Sequence, residues 1–106
     1  MSVGLAVDPQ VLAAVCRRHR VAKLEVFGSR AHGIPRADSD VDLLVSFADG
    51  YMPSLFAADG FMALVCELEQ LFGHPVDLLT RASVEQDPNE YFRTSALAGT
   101  EVLYAA

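Results

Sequence analysis

The sequence predicts an α/β (α+β) fold in which a small mixed β-sheet of about four strands is flanked by helices. Three observations support this prediction: short apolar runs of strand length alternate with amphipathic segments, glycine and proline separate them, and no repeat interrupts the order. The 106 residues have the size of one domain, and an apolar content of 52% is enough for a packed core. We therefore expect a single domain over residues 1–106.

The first half of the chain is predicted to contain a helix followed by two strands. The dipeptide Asp8-Pro9 has the form of a helix start, because an aspartate can cap the free N–H groups and proline suits the first helical position. Apolar residues then repeat at helical spacing, so we place a helix at about residues 8–20. The pattern changes to that of a strand over residues 21–27. A short helical turn at residues 29–32 and a second strand at about residues 41–47 follow.

The second half contains the clearest helix of the chain. Apolar residues between Phe61 and Phe72 form one stripe that would face a core. A short strand is predicted at about residues 75–79, in the sequence HPVDLLT. The sequence Asp87-Pro88-Asn89-Glu90 has the form of a capping box with proline at the first helical position, so a last helix is expected at roughly residues 88–98. The terminal TEVLYA is predicted to be a short edge strand.

Composition limits the classes of partner. The formal net charge is −6, from 14 acidic and 8 basic side chains, which argues against direct nucleic-acid binding along an extended basic surface. A basic protein partner fits this charge better. No apolar run approaches the length of about 18 residues that a membrane span requires, and the N-terminus lacks the pattern of a signal peptide. We therefore expect a cytoplasmic protein without membrane contact.

Several individual residues have simple structural interpretations. The basic cluster near Arg18 is interpreted as a solvated helix end that interacts favourably with the helix dipole. Cys16 and Cys66 both fall on predicted apolar helix faces, so we expect two reduced core residues. His19 is expected at the boundary of the core and is not expected to be a ligand.

The unusual feature of the sequence is a group of aspartates at the start of a core strand. Asp40 and Asp42 share one face of the second strand, with Cα atoms about 6.5–7 Å apart. Asp77 lies near the start of a later strand in an otherwise apolar setting. If the two strands are neighbours, three carboxylates converge and repel one another. One or two Mg²⁺ ions would remove this conflict, since hard cations prefer carboxylate oxygen and paired ions assist phosphoryl substitution.

The turn after the first strand predicts the other half of a site. Gly28 would let a phosphate approach the backbone closely, and Ser29 would begin a helical turn whose N–H groups suit an anion. Arg30 and Arg36 are nearby cations that could reach the phosphates of a nucleotide. The residues therefore predict a site for a triphosphate and the metal ions bound to it.

Each of these pieces also has a simpler interpretation. A Gly-Ser pair can be an ordinary turn, the aspartate group can be a solvated loop, and Asp77 can be a strand-edge charge that pairs with Arg81. His32 and His74 are interpreted as loop residues. The combination of strand, Gly-Ser, ten residues, Asp-x-Asp and a third Asp on a later strand favours the site over these separate interpretations.

Gly28-Ser29, ten residues and then Asp40-Val41-Asp42 resemble the signature of the DNA polymerase beta-type nucleotidyltransferase superfamily. The resemblance covers nearly the whole chain, with VFGSRAHG, DSDVDLLV and PVDLLT as its specific motifs. It is closer still to the minimal nucleotidyltransferases, called MNT. It implies a nucleotidyltransferase-like fold with Asp40 and Asp42 as metal ligands. It further implies that Asp77 completes the catalytic and metal site and activates the attacking hydroxyl. Gly28 and Ser29 would contact the nucleotide phosphates.

The resemblance also implies a function. MNT proteins are commonly antitoxins of HEPN ribonuclease toxins, onto whose tyrosine hydroxyl they transfer AMP from ATP, with Mg²⁺ as the metal. The alternative is an antitoxin that neutralises its partner by binding alone, without catalysis. Transfer to a small molecule such as an aminoglycoside is less favoured, because 106 residues leave little surface for an acceptor. The sequence leaves open the nucleotide preference, the acceptor residue, the number of metal ions and whether the chain forms a homo-oligomer.

Overall fold

The computed structural model describes residues 7–27 and 41–106, and a four-stranded mixed sheet forms its centre. The strand order is β3-β2-β1-β4, with β1 antiparallel to both β2 and β4, and β2 parallel to β3. The predicted fold class is thereby confirmed. The elements in chain order are α1 (Pro9–Arg18), β1 (Val21–Phe27), β2 (Val41–Phe47), a 3₁₀ turn (Ala48–Gly50), α2 (Phe61–Phe72), β3 (Val76–Thr80), α3 (Arg81–Glu85), α4 (Glu90–Leu97) and β4 (Glu101–Ala105).

Both faces of the sheet are covered, which explains why β1 and β2 carry apolar residues on both of their faces. The back face packs against α1 and α2 and forms the larger core, which includes Leu24, Leu43 and Leu68. The front face packs against α3 and α4. Its smaller core consists of Phe27, Leu44, Val84 and Ala96. Among the described residues, no helix is long and apolar enough to cross a membrane.

Helix α1 begins as the sequence predicts and ends two residues earlier. The side chain of Asp8 accepts a hydrogen bond from the N–H of Gln10 at 2.9 Å, and Pro9 is the first helical residue. The helix stops at Arg18 because Arg20 adopts a left-handed conformation with φ 58°, and its carbonyl accepts a hydrogen bond from Ala48. The expectation that His19 lies at the boundary of the core was wrong: its side chain is only 4% exposed.

Helix α2 confirms the predicted apolar stripe, and glycine is required just before it. A Cβ atom on Gly60 would lie 1.9 Å from the carbonyl oxygen of Ser54. That carbonyl accepts a hydrogen bond from the N–H of Phe61 at 2.9 Å, which satisfies one of the free donors at the helix start. The close approach of the loop to the helix therefore depends on glycine.

The region between β3 and β4 differs most from the prediction. Helix α3 (Arg81–Glu85) was not predicted, because five residues are too few to show a helical period; Thr80 caps it by accepting from the N–H of Ser83 at 3.2 Å. Helix α4 begins at Glu90, and its cap is Asn89, which accepts from the N–H of Phe92 at 3.1 Å. The predicted start at Pro88 was therefore wrong.

The two cysteines are both free but have different surroundings. Cys16 is fully buried on α1, as predicted, whereas Cys66 is exposed on α2, so the prediction was wrong for Cys66. Cys66 follows Leu64 and Val65 directly, and the helical rotation carries it out of the stripe that faces the core. Burial raises the pKa of the Cys16 thiol to about 12, although the charge of Arg17 lowers it.

This difference predicts that one thiol reacts in the folded protein. At pH 8, a disulfide reagent such as Ellman's reagent should modify Cys66 quickly and Cys16 only after unfolding, because the thiolate is the reactive form and Cys16 is buried. Absorbance should therefore report one thiol per chain in buffer and two in denaturant. The Cys66→Ser variant is the control and should show none in buffer. Two rapidly reacting thiols in the native protein would contradict the assignment.

A side-chain cluster joins the end of α1 to α2. The Nε2 atom of His19 lies 2.7 Å from Oε2 of Glu67, and Arg18 donates to the other carboxylate oxygen of Glu67. Burial by itself would raise the pKa of Glu67, but the hydrogen bonds and charges of His19 and Arg18 hold that pKa below the usual value of 4.5. The ionised carboxylate therefore stabilises the contact between the two helices.

The lowered pKa of Glu67 predicts a pH-dependent stability. Its contribution is complete above about pH 4.5 and is lost as the pH falls through the lower folded-state pKa. At pH 6, Glu67→Gln should reduce the free energy of unfolding by about 1–2 kcal/mol, because a charged partner of the buried His19 is lost. Denaturant titrations should show this deficit shrinking toward pH 3. Asp59→Asn, on an exposed loop carboxylate, is the control; a constant deficit would contradict the linkage.

Candidate active site

The parallel register of β2 and β3 brings two predicted site residues together. Asp42 pairs with Asp77, between the pairs Val41 with Val76 and Leu43 with Leu78. Residues paired in this way are separated by about 5 Å between Cα atoms, and their side chains leave the sheet on the same side. Asp42 and Leu44 alternate with the back-face residues of β2, so the acidic pair lies on the front face of the sheet.

The start of β3 is held in place by two contacts. The N–H of Val41 donates to the carbonyl of Pro75 at 2.8 Å, which joins the beginnings of β2 and β3. The N–H of Val76 donates to Oε2 of Glu69 on α2 at 3.0 Å. The position of Asp77 therefore follows from both the sheet and the preceding helix.

The acidic pair is open to solvent. Asp77 is exposed and Asp42 is half-buried. Carboxylate oxygens at this spacing suit a hard divalent cation such as Mg²⁺, so the two residues fit the metal that the sequence predicts. Within residues 7–27 and 41–106 no group of three or more potential metal-binding side chains occurs, so such a cation would need a further ligand.

All of the other predicted site residues fall in the segment 28–40. Gly28, Ser29, Arg30, Arg36 and Asp40 lie outside the described residues. The structure does show where the chain enters and leaves this segment. Strand β1 ends at Phe27, which pairs with Asp42. Strand β2 begins at Val41, the residue before Asp42. Both ends of the segment are therefore beside the acidic pair.

Sequence reasoning missed a buried carboxylate on the front face. Glu25 of β1 is 3% exposed, and both of its oxygens accept hydrogen bonds from Nη1 of Arg81, at 2.7 and 2.9 Å. The hydroxyl of Thr100 donates to Oε2 at 3.0 Å, and Nζ of Lys23 lies 3.7 Å from the same oxygen. The only signal in the sequence was an acidic residue in the middle of a largely apolar strand.

The partner of Arg81 is therefore different from the one considered in the sequence analysis. Arg81 pairs with Glu25 and, through Nε at 3.0 Å, with Glu85; within the part of the chain that the structure describes, it forms no ion pair with Asp77. Burial by itself would lower the pKa of Arg81, but the hydrogen bonds and charges of Glu25 and then Glu85 raise it. Arg81 therefore stays charged and offsets the charge of Glu25.

Comparison with known proteins gives sequence relatives among adenylyltransferases. Over 78 residues the chain is 32% identical to MJ1379 of Methanocaldococcus jannaschii, which is provisionally named a protein adenylyltransferase; the match covers 74% of this chain and 72% of the relative. Over 68 residues it is 41% identical to the protein adenylyltransferase MntA of Thermococcus cleftensis, with 64% of each covered. The chain thus spans about two thirds of the length of these curated relatives.

Solved structures share the fold. A structure provisionally described as a minimal nucleotidyltransferase matches with a TM-score of 0.64 and 33% identity, over 88% of this chain and 86% of that chain. A chain in the complex of a tri-AMPylated Shewanella oneidensis HEPN toxin with MNT antitoxin matches with a TM-score of 0.55, over 92% of this chain and 70% of that chain. The identity in this second case is 15%, which shows the fold alone.

The family itself is settled by a match to most of the chain. The family model described as the nucleotidyltransferase domain matches residues 9–100, a range that includes β1, β2, β3 and the acidic pair. The expected family is therefore confirmed, and the chain belongs to the nucleotidyltransferase domain family.

Proposed function

We propose that this chain is a metal-dependent nucleotidyltransferase that transfers AMP from ATP to a tyrosine hydroxyl of a HEPN-type toxin and so acts as its antitoxin. The observation that carries the proposal is the parallel register that sets Asp42 beside Asp77 on the front face. Family membership supports nucleotidyl transfer, and the names of the relatives support a protein acceptor. The likeness to a chain in the complex with the tri-AMPylated toxin supports a HEPN partner.

Asp77 is the proposed general base. Its carboxylate is exposed, so an acceptor hydroxyl from another molecule can reach it and lose its proton to it. The hydroxyl oxygen then forms a bond to the α-phosphorus of ATP, the bond from that phosphorus to the bridging oxygen breaks, and pyrophosphate leaves. The proton remains on Asp77 and the AMP group on the acceptor.

Asp40, Asp42 and Asp77 are the proposed metal ligands. Asp42 and Asp77 are neighbours on paired strands, and Asp40 is two residues before Asp42 in the predicted Asp-x-Asp signature. Bound Mg²⁺ would supply positive charge against the negative charge that develops on the phosphoryl oxygens. The contribution of the chain is to fix the carboxylates in advance, so that little reorganisation is needed during the reaction.

Gly28 and Ser29 are the proposed phosphate contacts, with Arg30 and Arg36 as further cations. Phe27, the last residue of β1, pairs with Asp42, so the chain enters the Gly-Ser segment from beside the acidic pair. A triphosphate held there would present its α-phosphorus to the carboxylates. This connectivity supports the assignment of the Gly-Ser segment to the nucleotide.

One sheet connects the described parts of the chain. Strand β4, near the C-terminal end, pairs with β1, which follows α1. This pairing supports the proposal that residues 1–106 form a single minimal nucleotidyltransferase domain.

Replacement of either aspartate of the pair should abolish most of the transfer. With ATP and Mg²⁺, the wild-type protein should increase the mass of the HEPN partner by AMP units, measured by mass spectrometry. Asp42→Asn and Asp77→Asn should each lower the initial rate by at least about 100-fold, because charge stabilisation and proton acceptance depend on the carboxylates. Asp59→Asn, on an exposed loop residue, is the matched control and should keep the wild-type rate.

The same variants separate catalysis from inhibition by binding. A folded double variant, Asp42→Asn with Asp77→Asn, should fail to rescue cells that express the toxin. Full rescue without any mass increase would favour the alternative in which the chain neutralises its partner by binding alone. Equal labelling by wild type and both single variants would overturn the assigned roles of Asp42 and Asp77.

A further inference from the structure

We propose that the buried ion pair between Glu25 and Arg81 is a positioning device that keeps β3 in the register that sets Asp77 beside Asp42. Neither residue is proposed to touch the substrates; both act through Asp77 as positioning residues. The kinetic part of this inference rests on the proposed nucleotidyl transfer. The structural part rests only on the contacts of the described residues.

The ion pair lies one row away from the acidic pair on the same face of the sheet. Glu25 pairs with Leu44, and Leu44 pairs with Leu79, which forms one row across three strands. Asp77, Asp42 and Phe27 form the neighbouring row in the same way. Since rows on one face are two residues apart, their Cα atoms are about 6.5–7 Å apart along each strand. A shift of the side chains in the row of Glu25 would therefore also displace the row that contains Asp42 and Asp77.

The pair connects strands that are not neighbours. Arg81 follows Thr80, the last residue of β3, and its side chain reaches Glu25 on β1, so the contact crosses over β2. The contact is two-fold, with Nη1 of Arg81 at 2.7 and 2.9 Å from the two oxygens of Glu25. Thr100 binds the same carboxylate from the side of β4 at 3.0 Å. The end of β3 is thereby tied to the middle of the sheet.

The register of strand β3 is held only weakly by its own strand pairing, so further contacts are needed to fix it. It has five residues, it lies at the edge of the sheet, and it pairs in parallel with β2 alone within the part of the chain that the structure describes. Parallel pairing is slightly weaker per residue than antiparallel pairing, and a slip of one residue would move Asp77 to the back face. Glu69 holds the first residue of β3, and Arg81 follows the last, so the strand is anchored at both ends.

A contribution to stability alone does not explain why the contact between Glu25 and Arg81 is ionic. A buried ion pair can often be replaced by apolar residues of similar volume without loss of stability, because removing two charges from water is costly. An apolar pair lacks the directional hydrogen bonds of an ion pair. The planar guanidinium of Arg81 fixes the position of Glu25 through defined hydrogen bonds, whereas two apolar side chains can slide past each other.

This difference allows stability and positioning to be separated by three variants. Arg81→Met alone leaves Glu25 buried without its main partner and should lower the melting temperature clearly. Glu25→Leu removes the buried acceptor of Arg81 and leaves the exposed one, Glu85. The double variant Glu25→Leu with Arg81→Met places apolar groups in both positions and should recover the melting temperature to within a few degrees of the wild type.

Recovery of stability in the double variant should not restore the site. We expect hydrogen exchange of the β3 amides to stay about tenfold faster than in the wild type, and the affinity for Mn²⁺, measured by calorimetry, to stay about tenfold weaker. The transfer rate to the partner should stay about 10–100-fold lower, with the KM for ATP little changed. Glu85→Gln, which removes only the exposed partner of Arg81, is the control and should match the wild type in all readouts.

The outcomes distinguish this inference from the proposed function. If the double variant regains melting temperature, β3 protection and Mn²⁺ affinity together, the pair is only a stabilising contact and the inference is overturned. If the wild type transfers no AMP, the proposed function fails, and hydrogen exchange still decides the role of the pair. In that case faster exchange confined to β3 in the double variant supports the positioning role of the ion pair, and unchanged exchange overturns it.

Discussion

The parallel pairing of β2 with β3 is the constraint on which both the core and the site depend. Side chains alternate between the two faces along each strand, so one register decides at once which residues are buried and which reach the front face. With Val41 beside Val76, the apolar residues Leu43 and Leu78 enter the back-face core. The same register leaves Asp42 and Asp77 on the front face. A slip of one residue would bury an aspartate and expose a leucine, so hydrophobic packing enforces the geometry of the acidic pair.

The carboxylates of the front face differ in burial, and this difference decides which of them a ligand can reach. Glu25 is buried, and Arg81 and Thr100 occupy its oxygens, so its charge is offset inside the protein. Asp77 is exposed at the beginning of an edge strand, where a cation or an acceptor group can approach. A buried carboxylate without a partner would destabilise the fold, whereas an exposed one is tolerated by water. Burial therefore separates the carboxylate that supports the structure from the one suited to chemistry.

Much of the fold was predictable because local patterns determine it. The bounds of β1 and β2 match those expected from the alternation of apolar runs with turn residues, and α2 matches its apolar stripe. Helix α3 was missed because five residues give no period, and its cap, Thr80, belongs to the preceding strand. The start of α4 was misplaced because Asp87 and Asn89 are both good caps, and only the folded chain shows that Asn89 is used.

The site was predictable to a different degree. The convergence of Asp42 with Asp77 required one assumption, that their strands are neighbours, and the parallel register meets it. The roles of Asp40, Gly28, Ser29, Arg30 and Arg36 remain predictions. Glu25 and Arg81 could not be paired from the sequence, since 56 residues separate them and nothing local relates a strand carboxylate to a distant arginine. The same holds for His19 and Glu67, whose contact depends on how α1 and α2 pack together.

The acidic pair also lies away from a groove that could bind a small acceptor of the AMP group. A groove lined by Ser46, Tyr51 and Met52 lies at the far end of β2, and Ser46 is four positions, or about 13 Å, along the strand from Asp42. This groove is therefore separate from the carboxylates, and a small molecule bound in it would be too distant to react. Asp77, in contrast, stands on an exposed strand edge that a side chain of another protein can reach. The exposed position of Asp77 is thus compatible with the protein acceptor proposed above.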